Sequence, residues 1–304
     1  MRGDLSVLPK KIIENIVNKS ETTFKLKDWI PIEKLYGSYL SLNPNAIELL
    51  KANPEKIDFN YLSANKNPEV INILKENPHT IDWDRLSFNP NAIELLKANS
   101  NKIDWEYLCS NENPEVITML NEHSQKIDWK KLSGNPVAID FLKENYDNIN
   151  WRVLSYNPNP EAIKLLKENQ NNIDWDFISL NPNAMELIIK HADKINWQFL
   201  SRNPNAVKLL KTYPKKINWK WLSLNPNSEA IELLKINITK IDWENLSRNP
   251  NPEAIELCKL KPNKLNWKWL SENPNAIELL KKYRKKLYWK NISKNPAIFD
   301  EVLV

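Results

Sequence analysis

From about residue 40 onward, apolar and polar positions repeat with a short, nearly fixed period. The stretch IDWDRLSFNPNAIELLKANSNK at 81–102 is one period. Aligning the chain on its Asp/Asn-aromatic pairs places Phe59, Trp83, Trp105, Trp129, Trp151, Trp175, Trp197, Trp219, Trp243, Trp267 and Trp289 in register, at steps of 22 or 24. Self-similarity of this kind marks a solenoid, whose units bury their apolar faces against their neighbours because none can do so alone.

Within one period the pattern predicts two helices. The first starts at Asp82 as N-cap, with Ile81 before it and Leu86 placed to close a hydrophobic staple. It spans barely two turns and points Trp83, Leu86 and Ser87 inward. The second starts at Asn89 with Pro90 in its first position, where the missing N–H costs nothing and the ring presets φ. Ala92, Ile93, Leu95 and Leu96 form its buried face, Glu94 and Lys97 stay outside, and the helix ends near Asn99. Long copies insert two residues just before the second N-cap, as in SYNPNPEAI at 155–163.

These readings give an all-α fold, a right-handed α-solenoid or superhelix of about eleven two-helix repeats with terminal caps. Residues 1–40 read as an N-terminal helical cap with a degenerate first unit carrying Gly37 at the tryptophan position, 41–295 as the repeat array, and 296–304 as a C-terminal capping helix. With helices packed about 8–10 Å apart, the array would be a rod or arc on the order of 100 Å long. A leucine-rich repeat imitates the LSxNPxAIxLL spacing, but its strand needs β-branched residues where this chain has Asp-Trp and Asn-Pro caps.

The long unit LSYNPNPEAIKLLKENQNNIDWDFIS at 154–179 is similar in layout to leucine-rich-variant repeats, which implies alternating α- and 3₁₀-helices in a right-handed superhelix. NPNAIELLKANPEKIDFNYLS at 43–63 and its copies resemble, over residues 40–296, the asparagine- and tryptophan-rich repeats of giant DNA viruses of protists. That resemblance implies a viral protein in the host cytosol, virus factory or virion. LPKKIIENIV at 8–17 resembles the opening of an F-box, which would imply a ubiquitin-ligase adaptor.

Composition narrows the function classes. Three glycines leave no room for glycine-rich phosphate loops or dinucleotide fingerprints. The start has neither a continuous apolar core nor a small-residue cleavage site, and no apolar run approaches a membrane span, so the chain reads as cytoplasmic with no membrane partner. Cys109 and Cys258 stand where other copies carry serine and leucine, and read as reduced and structural.

Catalytic chemistry finds no foothold. The caps Asp58, Asp82, Asp104, Asp128, Asp174 and Asp242 give way to Asn150, Asn196, Asn218 and Asn266 in other copies. Capping tolerates that exchange and a catalytic carboxylate does not. His79, His123 and His191 read as solvated turn residues without metal-ligand partners. The reading is therefore no enzyme, no metal, no cofactor and no small-molecule substrate.

Two features suggest binding. The position two after each tryptophan, expected to face outward, carries aromatics in six of eleven copies: Tyr61, Tyr107, Phe177, Phe199, Trp221 and Trp269. They either pack between units or form a docking strip for a protein, and burial of Trp221 and Trp269 distinguishes the two. The net charge of +5 gathers in the C-terminal half, where Lys281, Lys282, Arg284, Lys285 and Lys286 form the densest basic cluster. A protein-binding scaffold is the first reading. A nucleic-acid-binding repeat protein using this basic end is the second.

Overall fold

The structure, a computed structural model, describes residues 22–303, so the segment around 8–17 with its F-box resemblance lies outside the described residues. The chain is mostly helical and built from repeated short helices. In unit 3 the first helix is Trp83–Ser87, capped by the Asp82 side chain, which accepts from the Arg85 N–H. Asn150 caps Trp151–Leu154 in the same way, accepting from the Val153 N–H, so Asp and Asn do interchange as caps.

The second helix begins as a 3₁₀ turn, Pro90–Ala92, and continues as the α-helix Ile93–Lys97. In long units the inserted pair shifts the cap, and one uninterrupted helix such as Pro160–Glu168 results. The segment after the second helix is a further 3₁₀ turn, Ser100–Lys102 in unit 3, which makes the unit three-part.

Units are joined through a buried polar ladder in the Ser-x-Asn loop between the two helices. Its asparagines are Asn43, Asn65, Asn89, Asn111, Asn135, Asn157, Asn181, Asn203, Asn225, Asn249, Asn273 and Asn295, all buried. Each uses both ends of its amide. In Asn181, Oδ1 accepts from the Asn183 N–H at 3.0 Å, and Nδ2 donates to the carbonyls of Ser155 (3.1 Å) and Asn157 (2.9 Å) in the preceding unit. The serine completes the joint: Ser179 Oγ donates to the Trp175 carbonyl and accepts the N–H of Asn196, the next unit's cap residue. Ile, Leu, Val and Ala side chains fill the space between the helices in one continuous core.

The ladder has no end. Asn43, in the first unit, donates to the carbonyls of Ser293 and Asn295, in the last, at 3.1 and 3.0 Å. The Tyr36 N–H donates to Ser293 Oγ at 2.8 Å, as every other cap residue does to the preceding serine or cysteine. Asn45 Nδ2 reaches the Pro296 carbonyl as Asn67 Nδ2 reaches that of Pro44. The seam thus repeats the internal joints, and twelve units close into a ring with a turn of about 30° between neighbours. The open rod or arc with separately capped ends is corrected accordingly. The contour of roughly 100 Å becomes a circumference, and the ring is roughly 30–40 Å across between helix axes.

The termini also depart from expectation. Residues 299–303 are not a capping helix but a strand, β2 (Phe299–Leu303), which pairs antiparallel with β1 (Thr22–Leu26) from Leu26↔Phe299 to Thr22↔Leu303. A helical N-terminal cap over 22–26 therefore does not hold, while the repeat array itself is helical as expected, with this one two-stranded ribbon added. This ribbon stands where the last unit would have its second helix and clasps the two ends across the seam. Gly37 opens a normal first helix, Gly37–Ser41, and a β-carbon there would fall 2.3 Å from the Lys56 carbonyl oxygen. Backbone approach excludes the usual tryptophan.

Candidate binding rim

The residue between serine and asparagine in each loop is free to vary because its neighbours alone make the ladder. Tyr156, Leu180, Arg202, Leu224 and Arg248 occupy this position in units 6–10, and together with Pro182, Pro204, Pro226 and Pro250 they line one cleft of about 320 Å³. Side chains from five successive units share a cleft only on the concave side of a ring. The loops therefore face its centre. Next to it, Arg248, Pro250, Trp269 and Glu272 line a smaller cleft continuing toward unit 11.

Of the aromatic positions singled out from the sequence, Phe177, Trp221 and Trp269 touch rim residues, Phe199 reaches the rim through Trp221, and Tyr61 and Tyr107 lie in other units. Arg248 lies over the Trp269 indole at 4.1 Å, with Lys268 at 5.7 Å, and Arg202 lies over Trp221 at 5.9 Å. Phe199 meets Trp221 edge-on at 5.6 Å between ring centres. Phe177 sits between Tyr156 and Arg152, Tyr61 between Tyr39 and Arg85, and Tyr107 beside Lys131. Tyr107 is exposed at 45%, whereas Tyr61, Phe177, Phe199, Trp221 and Trp269 are half-buried. They pack sideways against neighbouring units and leave one flank open, so packing and display coexist.

The periodic tryptophans are also half-buried, Trp243 alone among them being buried. Several carry a lysine from the following turn over the indole, such as Lys102 on Trp83 and Lys240 on Trp219. Lys34 on Trp289 repeats this contact across the seam. An indole at the edge of the core under an ammonium gains both burial and cation–π attraction.

Lys281, Lys282, Arg284, Lys285 and Lys286 are exposed but lie elsewhere. Lys281 and Lys282 end the second helix of unit 11, and Arg284–Lys286 form the 3₁₀ turn behind it. Arg284 covers Trp29, and Lys286 covers Trp267. Lys285 and Lys286 line a separate depression with Trp267 and Tyr288. The structure does not bring this cluster together with Trp221 and Trp269.

No group of three His, Cys, Asp or Glu side chains among the described residues could hold a metal ion. His79 is exposed, but His123 and His191 are not solvated turn residues: they pack on Trp105 and Trp175 at 4.4 and 5.0 Å between ring centres. Both cysteines are buried free thiols, and burial pushes Cys109 up to about 11 and Cys258 up to about 12, which keeps them protonated and unreactive. No helix among the described residues is long and apolar enough to cross a membrane. Comparison with family models, characterised proteins and solved structures finds no match.

Sequence reasoning passed over the rim residues Tyr156, Leu180, Arg202, Leu224 and Arg248. The signal was available: between a near-constant Ser and a constant Asn, one position runs through Leu42, Phe88, Gly134, Arg202 and Glu272. A position that varies this widely inside a fixed frame is displayed, not packed.

Proposed function

We propose that this protein is a non-enzymatic binding ring, a scaffold that holds a protein partner on its inner rim. One observation carries the reading: a constant polar ladder holds a cleft whose lining, Tyr156, Leu180, Arg202, Leu224 and Arg248, differs in chemistry from unit to unit. Rigid display of varied side chains is what specific recognition needs, because little entropy is lost on binding. The ring works in the cytosol and, following the resemblance of its repeats, in the cytosol or virus factory of an infected protist.

A photo-cross-linking residue at Leu180 or Leu224, compared with one at Ile236, which is 79% exposed, tests this reading. Discrete protein adducts from nuclease-treated host cytosol at the two rim positions, without them at Ile236, are the expected result. Equal labelling at all three positions refutes it. The stacked pairs Arg202–Trp221 and Arg248–Trp269 favour single-stranded nucleic acid as a second reading. Adducts that vanish with nuclease, and affinity that falls steeply with salt, would promote it.

A further inference from the structure

We infer that the rim of units 7–11 takes an extended acidic peptide segment, its carboxylates on Arg202 and Arg248 and its apolar side chains between them. This names the partner chemistry of the binding ring and rests on that reading.

The rim backbone has little to offer a ligand. Proline has no N–H, and the carbonyls of Pro182, Pro204, Pro226 and Pro250 already accept from Asn205, Asn227, Asn251 and Asn275 in the following units. Recognition by strand addition is thereby disfavoured, and side chains must supply the contacts.

Those side chains alternate. Leu180, Arg202, Leu224 and Arg248 follow one another along the cleft, so the cation recurs every second unit with a leucine between. An extended peptide turns every second side chain to one face, about 6.8 Å apart, so a segment in which glutamate and an apolar residue take turns along that face meets each kind in turn. Both guanidiniums are exposed, and among the described residues neither forms a salt bridge. Each rests on an indole, which fixes its plane and leaves its N–H edge free for bidentate binding of a carboxylate. Phosphodiester chains fit less well. Between the two arginines lie leucine and proline, and Glu272 borders the neighbouring cleft, whereas nucleic acid brings one charge per nucleotide.

The test is fluorescence anisotropy on the full chain with three probes: a short labelled peptide with glutamate and leucine in turn at every second position and serine between them, its counterpart with lysine in place of glutamate, and an oligothymidylate. The glutamate peptide is expected to bind roughly tenfold or more tighter than the lysine peptide, and R202E/R248E is expected to reverse that order. R202K/R248K should retain part of the affinity, because charge survives while the planar fork is lost. Unaltered melting and far-UV circular dichroism establish that these exposed variants are folded. Equal binding of the two peptides, tighter binding of the oligothymidylate, or an R202E/R248E variant that still prefers glutamate overturns the inference. Rim cross-links to protein that persist in R202E/R248E would sink the acidic-peptide assignment and leave the binding ring standing. Loss of specific rim cross-links in the wild type would sink the binding ring itself.

Discussion

A buried primary amide is costly unless its donors and acceptor are all engaged, and the ladder asparagines achieve this with one side chain per joint. Aspartate cannot replace them, since it would turn two donations to carbonyls into two repulsions. The caps one helix away need only an acceptor, which is why Asp and Asn exchange there and not here. Cys109 shows how much variation the joint's other half accepts: its Sγ takes the Asp128 N–H at 3.3 Å where serine oxygens do so elsewhere. This thiol and that of Cys258 titrate above their ordinary value of 9.0 when folded, up to about 11 and about 12. Because the native values are raised, the stability they contribute is complete below about pH 9 and is lost as pH climbs toward those values. Each thiol costs the native state about 1.4 kcal/mol per pH unit over that window. C109S/C258L, which restores the residues of equivalent copies, is expected to flatten the fall in stability between pH 8 and 10.5 by on the order of 4 kcal/mol. Urea unfolding at the two pH values checks this, and parallel slopes for wild type and variant would contradict it.

Helices in this protein are too short to persist alone, and their stability comes from caps, staples and neighbours. Those local devices were legible in the sequence: Asp82 and Asn89 cap where their spacing said, Pro90 opens the second helix, and the two-residue insertions fall in the loop. The strand β2 was not legible, because AIFDEVL at 297–303 reads like the AIELLKK of unit 11 and only the partner strand TTFKL at 22–26 makes it extended. The variability of the rim position was legible, but its orientation was not, since facing the centre of a ring is a property of closure and not of any one unit. Phe299, buried opposite Leu26, anchors the ribbon. F299D places an unpaired carboxylate there and is expected to cost about 3 kcal/mol or more locally. Hydrogen exchange should then accelerate at Thr22–Leu26 while Pro160–Glu168, across the ring, keeps its protection. Unchanged protection of β1 would mean that the clasp does not hold the seam.

An open solenoid has two weak ends, and its stability rises unit by unit toward the middle. Closure removes the ends: every ladder asparagine has a preceding unit, and every serine a following cap, because Asn43 and Tyr36 find theirs across the seam. The two architectures therefore disagree about one residue. In an open array Asn43 would face water, and N43D would cost a few tenths of a kcal/mol. In the ring it loses two buried donations and sets a carboxylate against two carbonyls, as N181D does in mid-array, and each variant should lose about 3 kcal/mol or more from its joint. Their shapes should differ even so. The joint at Asn181 lies within continuous chain, whereas the seam is held only by side chains, ladder and ribbon. N43D combined with F299D is thus expected to spring open with its units folded, its greatest dimension by small-angle scattering growing from on the order of 60 Å toward 100 Å. N181D should keep the dimension of the wild type. If N43D proves harmless, or the wild type already scatters as an open arc, the seam is not closed in solution and the rim cleft loses the curvature that defines it.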